Sequence, residues 1–253
     1  MPDLASTLDR DFRSLDVVGR LRKLRETVEG RIVFTTSFGL EDQYLTHLIF
    51  ENGIAIDVVT LDTGRLFPQT YAVWQETEEK YGCRIRAFYP DGTALEELIG
   101  DQRINGFYYS VDARKSCCGV RKVEPLKRAL AGAGAWVTGL RGDQSQNRSA
   151  MEFVAFDSAF GVVKANPLLD LSRQQIADAA KAADVPVNPL HAQGFPSIGC
   201  APCTRAIKPG EDERAGRWWW EQDGKKECGL HVAADGSIMP RASLAEGDRQ
   251  WAV

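Results

Sequence analysis

The chain has 253 residues, 43% of them hydrophobic and 26% charged, with a formal net charge of −4. That length suffices for one substantial core, alone or with a smaller appendage. The acidic balance argues against a general basic field that would recruit nucleic acid, and no apolar run reaches the roughly 18 residues of a spanning helix.

The N-terminal stretch is charged (Asp9-Arg10-Asp11, Arg20 to Arg25) and lacks the apolar core of a secretory signal. The expectation is a cytoplasmic protein with neither nucleic-acid nor membrane partners; a homo-oligomer is compatible with the composition.

Helix and strand signals alternate from the start. Asp9 to Val28 carries Phe12, Leu15, Val18, Leu21 and Leu24 at helical spacing. Arg31–Thr36 is a short β-branched run that ends in the turn Ser37-Phe38-Gly39. A helix over Leu40–Phe50 follows, then a strand over Ile54–Leu61 that closes on Asp62-Thr63-Gly64. Phe67–Tyr81 reads as a helix with Pro68 tolerated in its first turn, and Arg84–Tyr89 as a third strand. Further on come a helix over Gly119–Ala131, strands over Ala135–Gly139 and Gly161–Ala165, and a helix over Ser172–Ala183. After Val187 the periodicity gives way to Pro- and Gly-rich sequence.

Strands separated by helices of this length imply βαβ units. The fold expected is α/β, a parallel twisted sheet with helices on both faces. Residues 1–206 would form the α/β domain that carries the binding sites. Residues 207–253 would form a mobile C-terminal segment lying over the carboxyl edge of the sheet, where open sheets bind ligands.

Six cysteines without a secretory signal argue against a disulfide framework. Four fall in two tight pairs, Cys117-Cys118 and Cys200-Ala-Pro-Cys203, a set suited to zinc or an iron–sulfur centre. Directly adjacent ligands crowd one tetrahedral ion but can reach different irons of a cube, which favours iron–sulfur. Cys83, inside a strand pattern, reads as a buried structural thiol.

Cys228 stands apart in Glu227-Cys228-Gly229-Leu230-His231, behind Trp218-Trp219-Trp220-Glu221. An apolar anchor followed by a glycine-bracketed cysteine suits a segment that carries a thiol into a site. A thiolate nucleophile needs nearby positive charge, for which Lys225, Lys226 and His231 are candidates.

The turn at Ser37-Phe38-Gly39 opens a helix and could hold an anion on backbone N–H groups, but no Gly-Lys-Ser/Thr follows to make it a Walker loop. Asp62 ends the second strand at the same edge. Arg141 follows the strand ending at Gly139, with Arg148 beyond it, and Arg214 and Arg217 stand one helical turn apart ahead of the tryptophans. Arginine's planar fork suits phosphate and sulfate oxygens.

Taken together these elements resemble the assimilatory adenylyl-sulfate (APS) reductases, thioredoxin-dependent members of the family that also contains phosphoadenylyl-sulfate (PAPS) reductases. The resemblance runs in order from the Ser37 turn to His231. It is most specific at Cys117-Cys118-Gly-Val-Arg121-Lys122-Val-Glu-Pro125-Leu, the Cys200/Cys203 pair, Arg217-Trp-Trp-Trp-Glu and Glu227-Cys228-Gly-Leu-His231. It implies an oxidoreductase of sulfate assimilation and cysteine biosynthesis, with a fold akin to the adenosine-nucleotide hydrolases.

It further implies a 4Fe–4S cluster on Cys117, Cys118, Cys200 and Cys203, and Cys228 as the nucleophile that takes up the sulfur group of APS as an S-sulfonate. Lys122, Arg214, Arg217 and His231 would surround the phosphosulfate, and Ser37, Phe38, Gly39, Asp62 and Arg141 would help frame the nucleotide. Thioredoxin or a glutaredoxin-like thiol donor would release sulfite.

Pyrophosphate-splitting relatives carry Ser-Gly-Gly-x-Asp-Ser where this chain has Ser-Phe-Gly-Leu-Glu-Asp, which disfavours ATP chemistry. Gly142 also follows Arg141 where relatives often carry a second basic residue. The competing readings are a PAPS or dual-specificity reductase, an ATP-using thiolation enzyme with a cluster, and an iron–sulfur redox sensor. The last lacks an evident basic helix-turn-helix.

Overall fold

The structure is a computed structural model and describes residues 2–144 and 151–221. Six strands form one sheet in the order β3-β2-β1-β4-β6-β5, built from β1 (Arg31–Thr36), β2 (Asp57–Leu61), β3 (Arg86–Phe88), β4 (Ala133–Val137), β5 (Val154–Asp157) and β6 (Val162–Ala165). All neighbours are parallel except β5, which runs antiparallel to β6 at the edge. The sheet is therefore mostly parallel, with one antiparallel margin.

Alternation along the strands divides the core in two. Ile32 and Phe34 point into a large cluster with Leu8, Leu21, Leu24 and Leu45. Val33, between them, joins Val59, Leu126, Leu130 and Trp136 on the opposite face. Both faces are thus buried, as a parallel sheet with helical crossovers requires. Strand order reverses between β1 and β4, the topological switch point where open α/β sheets leave a crevice at their carboxyl ends.

Several elements differ from the sequence expectation. The first helix is two, α1 (Pro2–Phe12) and α2 (Val17–Thr27). The break is a capping event: the Asp16 carboxylate accepts from Gly19 N at 2.7 Å and starts a new helix.

After α3 (Leu40–Glu51) and α4 (Pro68–Tyr81) comes α5 (Gly92–Gln102), which was not expected; Asp91 caps it by accepting from Ala94 N. β5 was also missed, because an edge strand of four residues with three half-buried positions shows little alternation.

The helix expected at Gly119–Ala131 starts earlier. α6 (Val111–Cys118) is capped by Ser110, passes through a π-helical turn at Gly119–Val123 and continues as α7 (Glu124–Leu130). Cys117 and Cys118 therefore lie at the end of a helix instead of ahead of one. The last regular helix is α8 (Arg173–Ala182), with a full capping box at Ser172 and Gln175. Among the described residues no helix is long and apolar enough to cross a membrane.

Candidate functional site

A cavity opens at the switch point. The ends of β1 (Thr36), β2 (Thr60) and β4 (Trp136) contribute to its walls, with the loop residues Ser37, Gly39 and Gly139. Lys122, Arg214 and Arg217 supply positive charge from the other side. The Ser37 turn is shaped by Asp42 on the first turn of α3, whose Oδ2 accepts from both Ser37 N and Ser37 Oγ at 2.6 Å. Burial pushes the Asp42 carboxyl up to about 6, against the pull of those Ser37 bonds.

Of the residues expected around a nucleotide, Ser37, Gly39, Lys122, Arg214 and Arg217 line this cavity and Phe38, Asp62 and Arg141 do not. Phe38 has φ +57° and a fully buried ring stacked on Trp74 at 5.5 Å. Asp62 accepts from Gly64 N and from Tyr71 Oη, both at 2.8 Å. Arg141 is fully buried among Glu41, Asp143 and Glu213.

A second, smaller cavity lies directly behind the first. Cys117, Cys118, Cys200 and Cys203 all line it, together with Phe107, Arg114 and Arg121. Lys122, Arg217 and Trp218 line both cavities and form the wall between them. The π-helical turn carries Arg121 and Lys122 within a turn of Cys117 and Cys118, a backbone irregularity frequent at functional sites. On the other side Cys200 opens a 3₁₀ turn over Ala201–Cys203, pinned by Ala201 N donating to Arg65 O at 2.8 Å.

Electrostatics set Cys200 apart from an ordinary buried thiol. Burial alone would raise Cys200, but Lys122, a hydrogen bond with Thr63, Arg217 and Arg121 together bring it below its usual value. Cys203, by contrast, is pushed up to about 12 by burial and by Cys200. Cys117 and Cys203 both respond to the charge of Cys200, and Cys203 to that of Cys117 as well, as thiols sharing one space do.

No group of three or more His, Cys, Asp or Glu among the described residues is arranged to hold a single metal ion. The donor set is nonetheless all thiol, in one space walled by cations and aromatic rings. In donor chemistry those residues fit a thiolate-ligated cluster, which takes four cysteines.

The sequence reading missed residues that hold this arrangement together. Arg121 donates Nη1 to Thr63 O at 2.6 Å. Trp218, at φ +44°, lies between the guanidinium groups of Arg114 and Arg217, each 4.6 Å from its ring centroid. Gly199 is needed because a Cβ there would overlap the Arg217 guanidinium. Arg121 carried a signal through its place in the Cys117-to-Leu126 run and Trp218 through the tryptophan run after Arg217; Gly199 carried none. Cys228 and His231 lie outside the described residues, as do Arg148, Lys225 and Lys226.

A mostly parallel sheet, with a switch-point cavity edged with lysine and arginine and four thiols lining the space behind its wall, defines an α/β protein of the nucleotide-binding kind. Residues 31–206 match the phosphoadenosine phosphosulfate reductase domain, and the chain belongs to that family.

Its relatives include proteins named adenosine 5'-phosphosulfate reductase. One from Sinorhizobium fredii is 53% identical over 95% of this chain and 96% of its own length. One from Rhizobium meliloti is 54% identical over 92% and 88%, and one from Allochromatium vinosum 50% over 87% of each. A phosphoadenylyl-sulfate reductase structure from Candida auris, solved with phosphate, shares the fold at TM-score 0.68 and 24% identity, over 80% of this chain and 96% of that one.

Proposed function

We propose that this protein reduces adenylyl sulfate to sulfite and AMP in sulfate assimilation, with a protein dithiol of the thioredoxin class as reductant. One observation carries the reading: the cationic crevice at the strand ends and the four-cysteine cavity share the wall made by Lys122, Arg217 and Trp218. Identity of about half over nearly the full length to proteins named for APS supports that nucleotide over PAPS.

In this reading the adenosine part lies along Ser37 and Gly39, with Phe38, Asp62 and Arg141 supporting the walls from beneath. Lys122, Arg214 and Arg217 face the phosphosulfate. Their charge screens the approach of a thiolate to an anionic sulfur and stabilises the charge developing on the leaving phosphate. Cys228, assisted by His231, attacks that sulfur; the S–O bond to AMP breaks and a Cys228 S-sulfonate forms.

A thiolate of the reductant then attacks the Cys228 sulfur and sulfite leaves with the bonding electrons. The second thiol of the reductant resolves the mixed disulfide, so the dithiol loses two electrons and two protons and sulfur falls from +6 to +4.

Cys117, Cys118, Cys200 and Cys203 would hold a 4Fe–4S cluster, which would supply a fixed charge and tie together the two chain segments that carry them. In this scheme residues 207–253 act as the segment that brings Cys228 to a body formed by residues 1–206.

The test is Cys228→Ser, assayed for sulfite release from APS with reduced thioredoxin and for iron content. Sulfite release is expected to vanish while iron stays bound. Unchanged activity would sink the proposal, and faster turnover of PAPS than of APS would overturn the choice of nucleotide.

A further inference from the structure

We infer that Arg141 and Glu213 are positioning residues that set Arg214 in the nucleotide cavity through a buried charge network. The inference rests on the reading above, in which Arg214 meets the phosphosulfate.

Arg141 has no exposed surface. Its Nε donates to Glu41 at 2.8 Å, its Nη2 to both carboxylate oxygens of Glu213 at 2.8 Å each, and its Nη1 to Asp143. Arg173 of α8 approaches the same two glutamates, 3.7 Å from Glu41 and 3.5 Å from Glu213. One buried guanidinium thus ties the first turn of α3 to the segment around Glu213.

That segment has no helix or strand to fix its shape. Its backbone is held by Arg214 N donating to Asp212 Oδ1 at 2.8 Å, Arg205 N to Gly216 O at 3.0 Å, and a bridge from Thr204 to Arg217. The last two contacts secure the Arg217 end. Near Arg214 the side chain of Glu213 links the segment to the body through Arg141.

A second consequence is electrostatic. Glu41 and Glu213 also line the cavity, so without Arg141 beneath them two carboxylates would repel an anionic nucleotide. Arg141 therefore orients one cationic ligand and silences two anions without touching substrate.

A double-mutant cycle on the full-length protein tests this, with KM for APS and thermal midpoint measured in wild type, Glu213→Gln, Arg214→Ala and the double variant. Glu213→Gln is expected to raise KM about tenfold alone but less than twofold when Arg214 is already alanine, the non-additivity of residues acting as one unit. The fall in thermal midpoint should be the same in both backgrounds.

Equal KM effects in the two backgrounds would overturn the inference and leave Glu213 with a purely structural role. If Glu213→Gln does not fold, Glu213→Asp, which keeps the charge but shortens the reach, gives the same comparison. Absence of APS turnover in wild type would instead end the functional reading, and this inference with it.

Discussion

Arg114 and Glu221 meet in a bidentate ion pair, Nε to Oε1 at 2.5 Å and Nη2 to Oε2 at 3.0 Å, with 1% and 4% of their side-chain surfaces exposed. Arg114 belongs to α6, which ends in Cys117 and Cys118, and Glu221 follows the three tryptophans. The pair therefore fastens the cysteine-bearing helix to the chain leaving the nucleotide cavity. Trp218 fills the space between, stacked against the same arginine.

Removing one partner of such a pair strands a buried charge, which costs about 3–5 kcal/mol, far more than an exposed pair is worth. Glu221→Ala is expected to lose that much unfolding free energy in urea. Glu221→Gln should lose less, since its amide oxygen still accepts one guanidinium bond. A loss under about 1 kcal/mol for Glu221→Ala would mean that water reaches Arg114 readily.

Asp42 should leave a mark on the pH dependence of stability. Its folded-state value lies near 6, above the ordinary 3.8, because burial disfavours the charge. A carboxyl raised in this way contributes stability that is complete below the unfolded value and lost as pH rises through the folded one. Asp42→Asn keeps an acceptor for Ser37 but cannot ionise. The stability of Asp42→Asn relative to wild type should climb between about pH 4 and 6 and level off above. Urea midpoints of both proteins across that window measure it; a flat difference would show Asp42 titrating normally.

Asp170 predicts the opposite sign. Arg20, itself buried, donates to both Asp170 oxygens at 2.6 and 2.7 Å and holds that carboxyl below its usual value. The same arginine donates to Phe12 O and Pro167 O, both at 2.8 Å, so it ties the start of the chain to the turn before α8. A lowered carboxyl stabilises above its unfolded value and loses that contribution as pH falls. Asp170→Asn should therefore be less stable than wild type at neutral pH and converge with it below about pH 3. Since Asp170 is half exposed, solvent screening limits the neutral-pH difference to about 1–2 kcal/mol.

What could be read in the sequence was whatever a local pattern encodes. β1, α3, β2 and α4 stand within a few residues of their expected ranges because alternation, apolar spacing and Pro68 at a helix start are local signals. The two cysteine pairs, expected together from their spacing, line one cavity.

Neither the burial of Arg141 nor the path of Arg114 was legible, since each depends on carboxylates about 100 residues away, Glu41 and Glu221. The α1–α2 break hung on a single cap, which an otherwise helical spacing concealed. Phe38 could be picked out as part of a turn, but the fate of its ring was decided by Trp74 on another helix.

Two glycines separate packing from propensity. Gly139 closes β4's loop against α3 so tightly that an added Cβ would overlap Asp42 Oδ1 and come within 3.3 Å of Glu41 Cβ. Asp42 cannot yield without releasing both Ser37 bonds, so the first turn of α3 would have to move. Gly139→Ala is expected to cost about 1–3 kcal/mol, as overpacking does, and to raise KM for the nucleotide as the Ser37 turn shifts. Gly100, inside α5, has nothing within 4 Å of the same virtual atom. Gly100→Ala should therefore gain roughly 0.5–1 kcal/mol from helix propensity alone and leave KM unchanged. Urea unfolding and steady-state assays of both variants decide the matter: a tolerated alanine at 139 would mean that α3 can slide along the sheet edge, and with it the floor of the crevice.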